Sequence, residues 1–108
     1  MNKVLGKISS VRFGSGGYQD AQFGIWFSFE GDGCGCGYGR GVWQGDPSSH
    51  ANWSMTDKQK VMGEVMLYIE KIMEQAKCSE VHELKGKPVE LSFEGNRLAD
   101  WRILTEVI

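Results

Sequence analysis

The stretch GDGCGCGYGRG, from Gly31 to Gly41, has glycine at every second residue. Because a strand has a period of two, one face of a strand built from these residues would carry only hydrogen atoms. Glycine also loses the most conformational entropy on folding and offers no side chain for packing. If this segment forms a stable strand, another group must approach its bare face closely.

The preceding residues predict the partner of this segment. In QFGIWFSFE (22–30), large apolar residues alternate with other residues, which is typical of a strand with one buried face. Asp32-Gly33 is a favoured two-residue hairpin turn, because both residues tolerate positive φ. With that turn, the numbers of paired residues add up to 65, so Trp26 lies opposite Gly39 and Ile25 opposite Arg40. We therefore expect Trp26 to lie across the glycine face.

Hydrophobic periodicity predicts the remaining elements. They are a first strand (3–13, with a bulge at Gly6), a glycine-rich loop (14–17), a polar loop (44–55), a helix (56–77), a short helical turn (79–84) and two strands (88–94 and from Arg97 onward) joined by a Gly95-Asn96 turn. Trp101 and Ile103 reach the core side only if a bulge occurs at Ala99-Asp100, so we predict that bulge.

The predicted helix has a capping box at Thr56 and Gln59 and one apolar stripe. Leu67 lies off that stripe and suggests a dimer contact. The residues of the stripe, all expected in the core, are Val61, Met62, Val65, Met66, Ile69, Ile72, Met73 and Ala76.

The element order βββαββ predicts an α+β fold with a curled five-stranded antiparallel sheet and one main helix. The same order occurs in the OB-fold, so an open sheet backed by a helix and a partly open barrel both fit the pattern. With 108 residues, the chain is expected to form a single domain, 1–108.

Composition and charge narrow the classes of partner. The net charge is −2 and no basic stripe is present, which excludes a long nucleic acid as the expected partner. The sequence has no apolar run of transmembrane length and no signal-peptide pattern, so we expect no membrane association. Three cysteines, an odd number, fit a reducing compartment better than a disulfide framework. We therefore expect a soluble protein in the cytoplasm.

Two groups of residues could carry chemistry, and each has a simpler interpretation. A zinc site could use Cys34, Cys36, Cys78 and His82, but their spacing is not that of a standard zinc motif, and small buried cysteines are the alternative. Hydrolase residue types gather at Asp46, Ser48, Ser49 and His50, without a nucleophile elbow or a second loop with a partner residue. A solvated turn is the simpler interpretation of that loop. For the glycines of 14–17, a hairpin loop is likewise the simpler interpretation. We expect no catalysis and no cofactor.

The remaining candidates are four aromatic residues and one arginine, namely Tyr18, Trp26, Arg40, Trp43 and Trp53. Rings above a glycine bed could stack on a flat ligand such as a base, while the arginine meets a phosphate. The same residue types dominate protein interfaces. A third interpretation is that the helix covers the face of Trp26.

Three stretches resemble a family of small phage and prophage proteins: VRFGSGGYQDAQFG (11–24), GKPVELSFEGN (86–96) and WRILTEV (101–107). These motifs carry no assigned catalytic residue. The resemblance implies an accessory protein in the cytoplasm of a bacterial host, a class that often blunts host defences by occupying a host protein or sequestering a nucleotide-like signal. We therefore expect a non-enzymatic binding protein that forms a homo-oligomer. A zinc-stabilised interaction protein and a small hydrolase are the alternatives.

Overall fold

The computed structural model describes residues 2–17, 19, 21–31, 33–43 and 55–108. The strands are β1 (Asn2–Gly16), β2 (Gln22–Gly31), β3 (Cys34–Trp43), β4 (Pro88–Glu94) and β5 (Arg97–Ile103); the helix α1 is Met55–Ala76, and 3₁₀ turns lie at Val81–Leu84 and Thr105–Val107. The strands form one antiparallel sheet in the order β3-β2-β1-β4-β5. The predicted α+β fold is confirmed. Within the described residues, no helix has both the length and the apolar character needed to cross a membrane.

The β2–β3 hairpin has the predicted register. Pairing runs without interruption from Gln22 opposite Trp43 to Gly31 opposite Cys34, and Trp26 lies opposite Gly39. Gly33 has a φ of +77°, as the predicted turn requires, whereas Asp32 lies outside the described residues. The period of two and the turn chemistry were sufficient to predict this register.

β1 differs from its prediction at two places. It continues to Gly16 by pairing with β2, so the loop predicted over 14–17 is wrong for its first three residues. The shift in register lies between Ile8 and Ser10 and not at Gly6. A Cβ on Gly6 would stand 2.5 Å from the carbonyl oxygen of Glu30, so this glycine permits a close approach of two strands and makes no bulge.

The predicted bulge in β5 is confirmed. Ser92 pairs with Asp100 and Phe93 with Leu98, which leaves Ala99 as the extra residue. Beyond the bulge, Trp101 is 8% exposed and Ile103 is 1% exposed. The extra residue thus returns both side chains to the core face.

Ring contacts of Trp101 show how strongly the sheet curls. Its ring centroid lies 5.0 Å from that of Phe27 and 4.7 Å from that of Phe29, both on β2, and 6.2 Å from that of Tyr38 on β3. In a flat sheet β2 and β5 would be about 14 Å apart, because neighbouring strands are about 4.8 Å apart. The concave face therefore encloses the core, although no ladder joins β3 to β5 in the described part of the chain.

Helix α1 packs on this concave face through Val65, Ile69, Ile72 and Ala76. The helix begins at Met55, so Thr56 lies inside its first turn. The prediction that Thr56 caps the N-terminus of the helix is therefore wrong.

The prediction that Met62 and Met66 belong to the core is wrong, because they are 40% and 60% exposed. The first half of α1 leaves a cleft above the strand residues Phe13 and Phe23, and both methionines line it. Leu67 is 66% exposed, in agreement with its place off the stripe.

Candidate functional site

Trp26 accounts for much of the glycine pattern. Its indole ring lies beside Gly16 of β1 and Gly39 of β3, where an added Cβ would overlap the ring. A Cβ on Gly41 would stand 3.1 Å from the same ring. The indole Nε1 donates a hydrogen bond of 3.0 Å to the carbonyl oxygen of Gly14. The ring of Trp26 therefore lies across the bare glycine surface, as expected. Its contacts also extend to Gly14 and Gly16 of β1.

Arg40 lies opposite Ile25, on the face that α1 covers. Its guanidinium carbon is 4.5 Å from the ring centroid of Tyr68, and its Nε donates to the hydroxyl oxygen of Tyr38 at 3.2 Å. That hydrogen bond raises the pKa of Arg40, and nearby Glu64 adds to the rise. Burial is the main cause that raises the pKa of Tyr68, so its phenol stays neutral at ordinary pH.

This placement separates residues that the sequence analysis had combined in one ligand site. Trp26 and Arg40 lie on opposite faces of the sheet, so one flat ligand cannot stack on Trp26 and meet Arg40. The interpretation that α1 covers Trp26 is also wrong, because the helix packs on the other face. Tyr18 and Trp53 lie outside the described residues, as does the side chain of Trp43.

The proposed zinc ligands lie in different surroundings. Cys36 is half-buried opposite Phe29, and Cys78 follows α1 with its Sγ 3.6 Å from the carbonyl oxygen of Ala76. Burial raises the pKa of the Cys78 thiol, which disfavours the thiolate that binds metal. His82 is exposed on a 3₁₀ turn, 3.8 Å from the carboxylate of Glu80. No three His, Cys, Asp or Glu side chains cluster as metal ligands where the structure describes the chain.

Several other candidate site residues lie outside the described residues. The side chain of Cys34 lies outside the described residues, and so do the four hydrolase-type residues of the polar loop, Asp46, Ser48, Ser49 and His50.

One exposed apolar region on the described chain combines α1 with the ends of β1 and β2. We call it the apolar surface, and its residues are Phe13, Phe23, Met62, Met66 and Leu67, with exposures of 48%, 37%, 40%, 60% and 66%. The rings of Phe13 and Phe23 meet edge to face at 5.0 Å. Met66 lines two adjoining clefts, one with Phe13 and Phe23 and one with Leu67, so the surface is continuous.

Two carboxylates border this surface. Glu70 and Glu74 line the second cleft together with Met66 and Leu67, and this cleft has a volume of about 470 Å³. An apolar floor beside carboxylates favours a ligand group that is apolar with positive charge next to it.

Sequence reasoning singled out Leu67 but missed the rest of the apolar surface, because it assigned Met62, Met66 and Met73 to the core. A second apolar row, Met62, Met66 and Met73, runs beside the buried row of Val65 and Ile69. Together, the two rows form an apolar face that is wider than a helix needs for contact with one sheet. That width was the signal that could have revealed the apolar surface.

The chain matches no protein-family model, no curated protein and no solved structure. The assignment of function therefore depends on the geometry described above.

Proposed function

We propose that this chain is a non-enzymatic binding protein that acts by occupying a partner protein through its apolar surface. The observation that carries the proposal is the exposure of five large apolar side chains in one continuous region. Extended apolar patches of this kind on a protein surface mark sites of interaction. Methionine suits such a site because its unbranched, polarisable side chain adapts to the shape of a partner.

The charges at the border define the partner further. Glu70 and Glu74 would attract lysine or arginine residues next to the apolar segment that contacts Met66 and Leu67. The resemblance to phage and prophage proteins makes a bacterial host protein the proposed partner, with counter-defence as the biological role. Occupation of such a protein requires no cofactor and no catalytic residue.

A nucleotide-like ligand is the second candidate, and the cleft beside Arg40 is the observation that favours it. This cleft has a volume of about 400 Å³ and is lined by Gln22, Tyr38 and Arg40, among others. However, Arg40 already contacts Tyr38 and Tyr68. The acidic side chain of Glu64 lines the same cleft and would repel a phosphate. The protein partner is therefore the stronger proposal.

Crosslinking in bacterial cells tests the protein partner, with two leucines of equal exposure as probe and control. A photoreactive residue replaces either Leu67, in the apolar surface, or Leu5, which is 68% exposed and lies outside it. We expect a discrete adduct with one host protein from position 67, lost when Met66→Glu is added, and no such adduct from position 5. Equal adducts from both positions, or none from position 67, would contradict the proposal.

Affinity for the captured protein provides the quantitative check. Leu67→Glu should weaken binding by about tenfold or more, since it places a charge in an apolar contact, whereas Leu5→Glu should leave the affinity unchanged.

Native mass spectrometry of the purified chain tests the second candidate, a nucleotide-like ligand. A co-purified nucleotide that Arg40→Gln removes would favour the ligand site over the protein partner.

A further inference from the structure

β3 is an edge strand whose outer side has no partner in the described chain. It stands at one end of the sheet order and pairs only with β2. Ten residue pairs in regular register give this edge a length of about 30 Å, at about 3.3 Å per residue. A row of unpaired backbone N–H and C=O groups on such an edge is a template for another strand.

The register shows that the backbone groups on the outer side of β3 belong to its glycines. The two-residue turn makes Gly31 and Cys34 the first hydrogen-bonded pair, and such pairs then alternate along the hairpin. Cys36, Tyr38 and Arg40 therefore bond to β2. Backbone N–H and C=O groups that point away from β2 belong to Gly35, Gly37, Gly39 and Gly41.

The opposite edge of the sheet, β5, carries features that prevent pairing. It has the bulge at Ala99, and Arg97 and Arg102 are charged. Its Trp101 N–H is occupied by the carboxylate oxygen Oδ1 of Asp100, at 2.8 Å. Bulges and charges of this kind are how natural sheets protect their edges.

In the described part of the chain, β3 has a regular register without a bulge and only one charged side chain. The sequence from 34 to 43 contains no proline, lysine or acidic residue, and the register shows no bulge. Its one charged side chain, Arg40, is turned onto the ring of Tyr68. One edge of the same sheet is thus protected, while the other has no strand beside it among the described residues.

We infer that β3 pairs with β3 of a second copy of this chain, in antiparallel orientation across a two-fold axis at Tyr38. The glycines are spaced symmetrically about that residue, so Gly35 would bond to Gly41 and Gly37 to Gly39 of the other copy. About eight hydrogen bonds would form, and every outward backbone group of the four glycines would be satisfied. Such a contact is isologous and closes at two copies. The inference is independent of the apolar surface, which lies on α1 and the strand ends.

Hydrogen exchange of the wild-type chain tests this inference directly. In a monomer, the amides of Gly35, Gly37, Gly39 and Gly41 face solvent and exchange fast, while those of Cys36, Tyr38 and Arg40 are protected. In the inferred dimer, both sets are protected and the protection of the glycines falls on dilution. A chain that sediments as a monomer, or a dimer whose glycine amides exchange freely, would overturn the inference.

A matched pair of variants isolates the backbone donor. Gly35→Pro removes one outward N–H and no bond to β2, whereas Gly35→Ala keeps that N–H; an added Cβ there has its nearest neighbour at 3.7 Å. By analytical ultracentrifugation, we expect the proline variant to dimerise about tenfold more weakly or worse and the alanine variant to match the wild type. Equal dimerisation by a folded proline variant would contradict the inference. If that variant does not fold, the exchange pattern of the wild type decides.

Discussion

At the scale of single residues, Trp26 and its neighbours show why side chains are missing from β3. The indole needs flat space on two strands at once, and Gly16 and Gly39 provide it. The entropic cost of ordering each glycine is offset by burial of one large ring and by the hydrogen bond from its Nε1 to Gly14. Replacement of Gly16 or Gly39 by a residue with a side chain should therefore be costly, because the ring occupies that space.

Gly39→Ala should lower the free energy of unfolding by about 1–3 kcal/mol, because the new methyl group would displace the ring of Trp26. Gly35→Ala, on the same face but away from the ring, should change it by less than about 0.5 kcal/mol. Urea denaturation followed by far-UV circular dichroism measures both. The cost of Gly39→Ala should also shrink in a Trp26→Leu background. Equal costs for the two alanine variants would show that the ring does not lie where we place it.

At the scale of elements, an ion network attaches the last 3₁₀ turn to the sheet. Arg102 of β5 donates to Glu90 of β4 at 3.1 Å and to both carboxylate oxygens of Glu106 at 3.0 and 2.9 Å. Hydrogen bonds from Arg102 are the main cause that lowers the pKa of Glu106 from 4.5 to about 2. A lowered pKa in the folded state means that this contribution to stability is present above about pH 4.5 and is lost as the pH falls towards 2.

Arg102→Gln should return the pKa of Glu106 towards 4.5. The free energy of unfolding should then fall less between about pH 4.5 and 2 than it does in the wild type. Arg97→Gln is the matched control, since Arg97 lies on the same strand but pairs with Glu94. Carboxyl carbon chemical shifts followed against pH report the pKa, and chemical denaturation at several pH values reports stability. An unchanged pKa of Glu106 in Arg102→Gln would exclude Arg102 as its cause.

At the scale of the whole molecule, Trp101 holds the curled sheet together. It lies on the last strand yet contacts Phe27 and Phe29 of β2 and Tyr38 of β3. Hydrogen bonds do not join β3 to β5 in the described residues, so the curl depends on these ring contacts and on the helix inside it. The core is thus closed by side chains where the backbone ladder stops.

Trp101→Ala should reduce the free energy of unfolding by about 3–5 kcal/mol, because it leaves a cavity between two halves of the sheet. Trp101→Phe should cost less, since it keeps an aromatic contact with the ring cluster. Thermal and urea denaturation of both variants provide the comparison. If alanine costs no more than phenylalanine, the ring is not what closes the sheet.

The amino-acid sequence by itself determined the features that depend on neighbouring residues. The hairpin register follows from a two-residue turn and a period of two, and the bulge at Ala99 follows from the need to bury Trp101 and Ile103. That register already placed Arg40 opposite Ile25, so strand parity could have separated it from Trp26. The existence and approximate length of α1 follow from its apolar periodicity.

Only the tertiary structure decided which surfaces face each other, because those choices depend on contacts between residues distant in the chain. The pairing of Gly14 with Gly24 extends β1 and brings Gly16 to Trp26. The position of α1 on the concave face leaves Met62 and Met66 exposed, although their periodicity matches that of buried neighbours. Local patterns state which residues can be buried, whereas the limited area of one curled sheet decides which of them are.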